Sequence, residues 1–109
     1  MKMKPFTERA VKIIKDIPPG KVMTYGQIAA LAGSHRAARQ VVRILHSMSE
    51  KYNLPWHRVI NSKGEIGIQD QESLYFQKKS LQSEGVIIAK ENKIDLEKYQ
   101  HRPSVEEVE

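Results

Sequence analysis

The fold is decided by residues 24–47, whose sequence reads TYGQIAALAGSHRAARQVVRILHS. Thr24 and Gln27 stand three residues apart, which is the spacing of a capping box, so a helix is expected to begin after Thr24. Gly33 is expected to end that helix, and Ser34 is expected to cap the next helix over roughly residues 35–47. Two helices joined by a short turn that contains glycine form the helix-turn-helix pattern.

The second helix of this pair is predicted to have two unlike faces. At about 100° per residue, its small and apolar side chains fall on one face; they are Ala37, Ala38, Val41, Val42, Ile44, Leu45 and Met48. The opposite face carries Arg36, Arg39, Gln40 and Arg43. Three arginines on the second helix of a helix-turn-helix suit a phosphate-rich groove, although an ordinary solvated face explains them equally well.

The flanking residues extend the helix-turn-helix into one domain. On the N-terminal side, apolar residues recur at helical spacing and predict a helix over roughly residues 5–16, which Pro18-Pro19-Gly20 ends. After a loop at 49–55, residues 57–60 read as a short strand, and residues 61–64 as a turn. Residues 66–69 are typical of either a return strand or a glycine-rich loop.

The last third of the chain predicts a helix near residues 71–84, with Gly85 at its C-terminal end. Two apolar segments, 86–88 and 94–96, then suggest a final hairpin. The expected fold class is therefore mostly α with short β elements, in a single winged-helix-like domain over residues 1–100. Residues 101–109 are expected to form a disordered tail.

Composition narrows the class of protein. The 109 residues are 39% hydrophobic and 28% charged, which is typical of one soluble globular domain. No apolar run approaches 18 residues and no signal-peptide pattern is visible. We therefore expect a cytoplasmic location and no membrane partner. Eighteen Lys and Arg against thirteen Asp and Glu give a net charge of +5, which favours a polyanionic partner such as nucleic acid.

The sequence contains no cysteine, which excludes disulfides, thiolate metal sites and thiol nucleophiles. The four histidines show no metal-ligand spacing, so neither a metal nor a cofactor is expected.

A second unusual stretch is Pro55-Trp56-His57-Arg58-Val59, in which the only tryptophan directly precedes a histidine and an arginine. Proline biases Leu54 away from helical geometry, so the stretch reads as a turn that enters a strand. Taken alone, this pattern favours a core tryptophan followed by two surface residues.

Taken together, the motifs closely resemble the C-terminal DNA-binding and active-site domain of the O6-alkylguanine-DNA alkyltransferases. The resemblance covers roughly residues 5–85 and is carried, in order, by residues 17–22, 24–29, Gly33 with 36–39, 55–59, Gly64 with Gly67, and Glu84-Gly85. The family's reactive motif reads Pro-Cys-His-Arg-Val, and Trp56 stands at the cysteine position. Chains with that change resemble alkyltransferase-like proteins, which bind alkylated guanine without repairing it and signal to nucleotide excision repair.

The chemistry of the residues also favours a protein that is not an enzyme. Displacement at the alkyl carbon needs a soft, ionisable nucleophile, for which a thiolate serves, whereas indole offers only an N–H donor. His57 is the only other acceptor worth naming, and imidazole suits the task poorly. By resemblance, His57 and Glu84 match the family's base and its orienting glutamate, and they are expected to persist as a hydrogen-bonded pair.

The resemblance also implies how DNA is held. Arg39 would enter the base stack and fill the space of the flipped nucleotide, while Tyr25 would crowd the 3′ phosphate and help to rotate it. The helix-turn-helix would dock in the minor groove, with Ala37 and Ala38 at the contact. That groove's degenerate code suits a protein that scans all sequences.

The lesion pocket follows from the same resemblance. Main-chain groups around Trp56 and Val59 would hold the flipped guanine, and the indole would line its alkyl side. Asp70 is a tentative site residue through its backbone N–H. Met48, Gln69 and Asp70 depart from the asparagine, tyrosine and serine usual in the family, which leaves the range of lesions open.

Two functions from different classes therefore remain. The first is a monomeric sensor whose partners are duplex DNA containing O6-alkylguanine and the proteins of nucleotide excision repair. The alternative is a helix-turn-helix regulator that reads sequence, which the three arginines would permit. Such a regulator has no need of residues 55–59.

Overall fold

The structure, a computed structural model, describes residues 3–104. Helices dominate it and only two short strands form in this range, so the predicted fold class is confirmed. The elements are α1 Pro5–Lys15, β1 Met23–Thr24, α2 Tyr25–Leu31, α3 Ala38–Tyr52, a 3₁₀ turn at Trp56–Arg58, β2 Val59–Ile60, α4 Gln71–Ser83, a 3₁₀ turn at Lys90–Asn92 and α5 Leu96–Tyr99.

The capping box that opens α2 is present. The Gln27 backbone N–H donates to Thr24 Oγ1 at 3.0 Å, and the Thr24 N–H donates to Gln27 Oε1 at 3.3 Å. At the other end of α2, Gly33 has a φ of +114°, a conformation that favours glycine. Arg9 Nε from α1 donates to the Ala32 carbonyl at 2.7 Å, so α1 fastens the turn of the helix-turn-helix.

The bounds predicted for α3 are wrong at both ends. The helix begins at Ala38 after Ala37, which makes no side-chain cap, and the Ser34 carbonyl instead accepts the Ala37 N–H at 3.0 Å in a preceding turn. The helix continues to Tyr52, through most of the predicted loop, and stops where Asn53 adopts the left-handed conformation. Asparagine is one of the few residues that tolerate this geometry at a helix end.

The two strands join the halves of the chain. They pair in parallel, with Met23 opposite Val59 and Thr24 opposite Ile60. One apolar cluster lies between α1, α2 and α3, and a second lies between the sheet, α4 and the C-terminal segment. The segment Trp56–Arg58 therefore runs directly into a buried strand, whose position fixes the start of the second half of the fold.

In the second half, two predictions need correction and one open alternative is resolved. His57 and Arg58 lie in a 3₁₀ turn and only Val59 and Ile60 form a strand. Residues 66–69 form a loop, the second of the two alternatives. In place of the predicted C-terminal hairpin, a single antiparallel bridge joins Ala89 and Lys93, because the chain turns tightly through a 3₁₀ segment between them.

The chain after the bridge is helical rather than extended. Asp95 Oδ1 accepts the Glu97 N–H at 3.0 Å and caps α5, where a strand had been predicted. Helix α4 and the position of Gly85, with a φ of +94°, agree with the prediction.

The residues after α5 are held against the start of the helix-turn-helix. The His101 N–H donates to the Val22 carbonyl at 2.8 Å, and Gln27 Nε2 donates to the His101 carbonyl at 2.6 Å. The first residue of the predicted tail is thus fastened to the domain, while residues 105–109 lie outside the described part of the chain. Within residues 3–104, no helix has the length and apolar character needed to cross a membrane.

Candidate nucleic-acid interface

A cavity of about 220 Å³ lies between the start of α2, the middle of α3, the Trp56 turn and the start of α4. Its lining is mainly aromatic and aliphatic, with a few polar groups, which is the usual character of a ligand site. The lining residues are Tyr25, Val42, Leu45, His46, Ser49, Trp56, Ile68, Ser73 and Gln77. The fold therefore brings together two predicted site residues, Tyr25 and Trp56.

Tyr25 is the first residue of α2 and packs against the first apolar cluster. Burial raises the pKa of its phenol above the usual 10.0, because the ionised form would lose solvation. The side chain therefore faces the cavity as a neutral ring with a hydroxyl that can donate or accept a hydrogen bond.

Trp56 forms the wall of the cavity between α3 and α4. Its indole lines the cavity and also contacts Phe76 on α4, with the ring centroids 5.6 Å apart. Phe76 is 54% exposed. A solvent-facing aromatic ring thus covers part of an indole that lines the cavity.

Val59 is buried, and its main chain is already bonded within the protein. Its N–H donates to the Trp56 carbonyl, and its carbonyl accepts from Gln77 Nε2 at 3.2 Å. A carbonyl oxygen has two lone pairs, so it can accept a second hydrogen bond. Val59 itself is not among the residues that line the cavity.

His57 and Glu84 lie together, with Nε2 of the imidazole 2.8 Å from Oε2 of the carboxylate. The same carboxylate accepts from Arg58 Nη2 at 2.7 Å and from the Gly20 N–H at 3.0 Å, while Arg58 Nη1 donates to the Ile17 carbonyl at 2.9 Å. Burial raises the pKa of Glu84, but hydrogen bonds from Arg58, Gly20 and His57 outweigh it and lower the pKa to about 2.

This network fixes the residues on either side of the cavity wall. Glu84 follows α4 directly, Gly20 precedes β1, and His57 and Arg58 follow Trp56. A single carboxylate thus joins three separate segments of the fold. The His57 ring points toward this carboxylate, and His57 is not among the residues that line the cavity.

The arginines predicted for one face of α3 are exposed, but Arg36 lies in the turn before the helix and only Arg39 and Arg43 are on it. Arg36, Arg39 and Arg43 are all solvent-exposed, whereas Ala37 and Ala38 are half-buried. Arg39 lies one helical turn before Val42, the first cavity residue on α3. The structure therefore places Arg39 beside one end of the cavity, outside its lining.

Asp70 has a structural role that the sequence did not indicate. Its Oδ2 accepts the Ser73 N–H at 2.9 Å and the Ser73 hydroxyl at 2.7 Å, so it caps α4. The hydroxyl and backbone hydrogen bonds from Ser73 lower the pKa of this exposed carboxyl. Because Ser73 lines the cavity, Asp70 orients a cavity residue through its side chain.

Four polar lining residues were missed by the sequence analysis: His46, Ser49, Ser73 and Gln77. His46 and Ser49 lie four and seven residues after Val42, on the same face of α3. Helical periodicity counted from Val42 therefore identifies both as lining residues. Gln77 has no comparable local signal. It is buried, and it donates to the carbonyls of His57 and Val59 at 3.2 Å. Among the described residues, no three acidic or histidine side chains are grouped to hold a metal ion.

Comparison with known proteins defines the class. Residues 5–86 match the family described as 6-O-methylguanine DNA methyltransferase, DNA binding domain, and the chain belongs to that family. It is 38% identical over 108 residues to alkyltransferase-like protein 1 of Schizosaccharomyces pombe, covering 94% of this chain and all of that protein. It is 45% identical over 94 residues to the DNA base-flipping protein of Escherichia coli, covering 86% of this chain and 72% of that one.

A solved structure supports the same placement. The crystal structure of S. pombe Atl1 in complex with damaged DNA containing O6-carboxymethylguanine superposes with a TM-score of 0.82 at 38% identity. The match covers 94% of this chain and 100% of that one. Within the methyltransferase family, this chain therefore groups with the alkyltransferase-like proteins.

Proposed function

We propose that this protein is a non-catalytic sensor that binds O6-alkylguanine in duplex DNA. The observation that carries the proposal is the cavity shared by Tyr25 and Trp56, whose α3 wall leads to exposed Arg39. A pocket of this kind can hold a base only after the base has left the stack, because an intrahelical guanine cannot reach it. Arg39, at the end of the cavity nearest the arginine face, would occupy the vacated position.

Docking through the helix-turn-helix completes the interface. Ala37 and Ala38 at the start of α3 leave room for close approach to the minor groove, and Arg36 and Arg43 lie where they can neutralise phosphates. The minor groove carries little sequence information, so binding there selects for the lesion rather than for the neighbouring bases.

Inside the cavity, the flipped guanine would stack against apolar side chains and donate a hydrogen bond to the Val59 carbonyl. The neutral Tyr25 phenol would act at the 3′ phosphate, and Trp56 would cover the alkyl group. Asp70 would present its backbone N–H from the start of α4. These assignments follow from the family's arrangement; Tyr25 and Trp56 line the cavity, whereas Val59 and Asp70 do not.

We propose that no alkyl group is transferred to the protein. The sequence contains no cysteine, and Trp56 has no nucleophilic lone pair. His57, the other acceptor worth naming, is hydrogen-bonded to Glu84 through Nε2 and lies outside the cavity lining. The pair would then serve to hold the Trp56 turn in place.

Signalling to nucleotide excision repair is the finer part of the proposal. A protein that binds an alkylated guanine without accepting the alkyl group leaves the lesion in the DNA. A second activity must therefore remove it, and excision of the surrounding strand requires no chemistry at the O6 position. Excision-repair proteins are the partners that fit this requirement.

The test is a binding titration with duplexes that differ only at one guanine, followed by the mass of the recovered protein. We expect tighter binding to O6-methylguanine than to guanine, and an unchanged mass. A stoichiometric gain of about 14 Da would show that the protein is an alkyl acceptor. Equal affinity for both duplexes, with a strong dependence on the flanking sequence, would favour a helix-turn-helix regulator.

A further inference from the structure

One buried hydroxyl in the cavity is unsatisfied. Ser49 Oγ is buried and has no hydrogen-bond partner in the described part of the chain, and Ser49 lines the cavity. Buried polar side-chain atoms are nearly always paired in folded proteins, because leaving one unpaired costs its full desolvation. A ligand that enters the cavity with a hydrogen-bonding group would supply the missing partner.

The polar groups of α3 are confined to one end of the cavity. Val42, Leu45, His46 and Ser49 share a helix face, and at 1.5 Å per residue Ser49 lies about 10 Å along the axis from Val42. On α3, Val42 is the lining residue closest in sequence to Arg39, on the side where DNA would enter. The α3 wall is therefore apolar near the DNA and polar at the far end.

His46 strengthens this polar end. It lies one turn before Ser49 on the same face and lines the same cavity. In any protonation state, imidazole retains at least one N–H donor. Two donors, a hydroxyl and a ring N–H, can thus be directed at one group.

We infer that Ser49 and His46 form a hydrogen-bonding subsite for an oxygen atom on the O6 substituent. This inference rests on the proposed function and names the lesion class that it favours. An O6 substituent that extends from the flipped guanine away from the DNA would reach the polar end. An adduct such as O6-(2-hydroxyethyl)guanine satisfies Ser49, whereas an alkyl chain of the same length leaves its hydroxyl unpaired. The proposed ligand class is therefore guanine with an O6 substituent that ends in a hydroxyl.

The experiment compares four duplexes that carry guanine, O6-methylguanine, O6-propylguanine or O6-(2-hydroxyethyl)guanine at one position. The last two substituents have the same number of heavy atoms and differ in a methyl or a hydroxyl end. We expect the protein to bind the hydroxyethyl duplex at least about 3-fold more tightly than the propyl duplex. In Ser49→Ala, the ratio of the affinity for the hydroxyethyl duplex to the affinity for the propyl duplex should fall by roughly 3- to 10-fold. A change of this size corresponds to the loss of one net hydrogen bond.

Ser47→Ala is the matched control. Ser47 lies on the exposed side of the same helix, where its hydroxyl donates to the Arg43 carbonyl at 2.9 Å, and it does not line the cavity. Its ratio should equal that of the unmodified protein. His46→Leu should shift the ratio in the same direction as Ser49→Ala, and His46→Gln, which retains a donor, should shift it less.

The outcomes separate the subsite from the proposed function. If the protein prefers O6-methylguanine to guanine but binds the propyl and hydroxyethyl duplexes equally, the proposed sensor function is retained and the proposed subsite is wrong. If the methyl preference is itself absent, the sensor proposal fails. The comparison of duplexes with the unmodified protein decides both points even if a variant does not fold.

Discussion

The rings of Trp56 and Phe76 stack, with their planes inclined by 20° and their centroids 5.6 Å apart. Phe76 is more than half exposed, so it contributes little to the apolar core. What it contacts is the indole that forms one wall of the cavity. The pair therefore couples a surface residue of α4 to the wall of the proposed lesion site.

Replacing Phe76 with alanine is expected to loosen this wall. Loss of the aromatic pair should weaken binding to lesion-containing DNA by about 0.5–1.5 kcal/mol, the usual worth of such a contact. The chain has one tryptophan, so its emission reports the site directly. The emission should move to longer wavelength in the variant and become more accessible to acrylamide quenching.

Tyr75→Ala is the control for this substitution, since Tyr75 is the preceding residue and is 66% exposed. It should leave the tryptophan emission unchanged. If Phe76→Ala alters neither the emission nor the lesion affinity, the stacking does not position the indole.

Glu84→Gln tests the carboxylate that joins the three segments. The charged carboxylate is stabilised in the folded protein by Arg58, Gly20 and His57, which place its pKa at about 2. Neutral glutamine keeps the shape but loses the charge-assisted bonds. We expect the free energy of unfolding at pH 7 to fall by about 2–3 kcal/mol, measured by urea denaturation.

The pH dependence of stability has a defined sign. Because the folded pKa of Glu84 lies below its unfolded value, its contribution is fully present above roughly pH 4.5. It is lost as the pH falls toward 2. The variant should therefore show a flatter stability profile between these limits, whereas substitution of exposed Glu50 with glutamine should leave the profile unchanged.

Local signals in the sequence were sufficient where a structure depends on neighbouring residues. The capping box of Thr24 and Gln27 is such a signal, and so is the glycine at the end of α4. The start of α3 was missed because Ser34 is a good capping residue by type, yet its carbonyl is used in a turn instead. Its end differs from the prediction because the helix continues until Asn53, which adopts the left-handed conformation and caps it.

Features that depend on distant residues had no such signal. Gln77 reads as an ordinary polar residue of α4, but tertiary packing buries it against the carbonyls of His57 and Val59. The contact of Gln27 with His101 joins residues from opposite ends of the chain. For His57 and Glu84, only the family resemblance gave the expectation that they meet.

Tyr25 is expected to matter for the lesion more than for DNA in general. Nonspecific affinity comes mainly from lysine and arginine at phosphates, which Tyr25→Ala leaves intact. Its affinity for the O6-methylguanine duplex should therefore fall much more than its affinity for the undamaged duplex. Because the ring also packs on the apolar cluster, Tyr25→Phe, which keeps the ring, serves as the variant with intact packing.

Equal losses on both duplexes in Tyr25→Ala, together with unchanged binding in Tyr25→Phe, would assign Tyr25 to packing alone. A circular dichroism melt of each variant separates a folding defect from a binding defect.

Arg39 distinguishes base flipping from simple docking. Arg39 and Arg43 are exposed on α3 and Arg36 is exposed in the turn before it, so charge alone predicts similar effects when each is replaced with alanine. A side chain that enters the stack has a further role, because it offsets the lost stacking and keeps the base from returning. Arg39→Ala should therefore raise the dissociation rate from lesion DNA and cost about 1–3 kcal/mol in affinity. Arg36→Ala and Arg43→Ala should instead weaken binding to all DNA and reduce the salt slope by about one unit each.

A fluorescent base analogue beside the lesion reports the extrahelical guanine. If Arg39→Ala retains that signal and the lesion preference while only the salt slope falls, Arg39 contacts a phosphate and does not enter the stack.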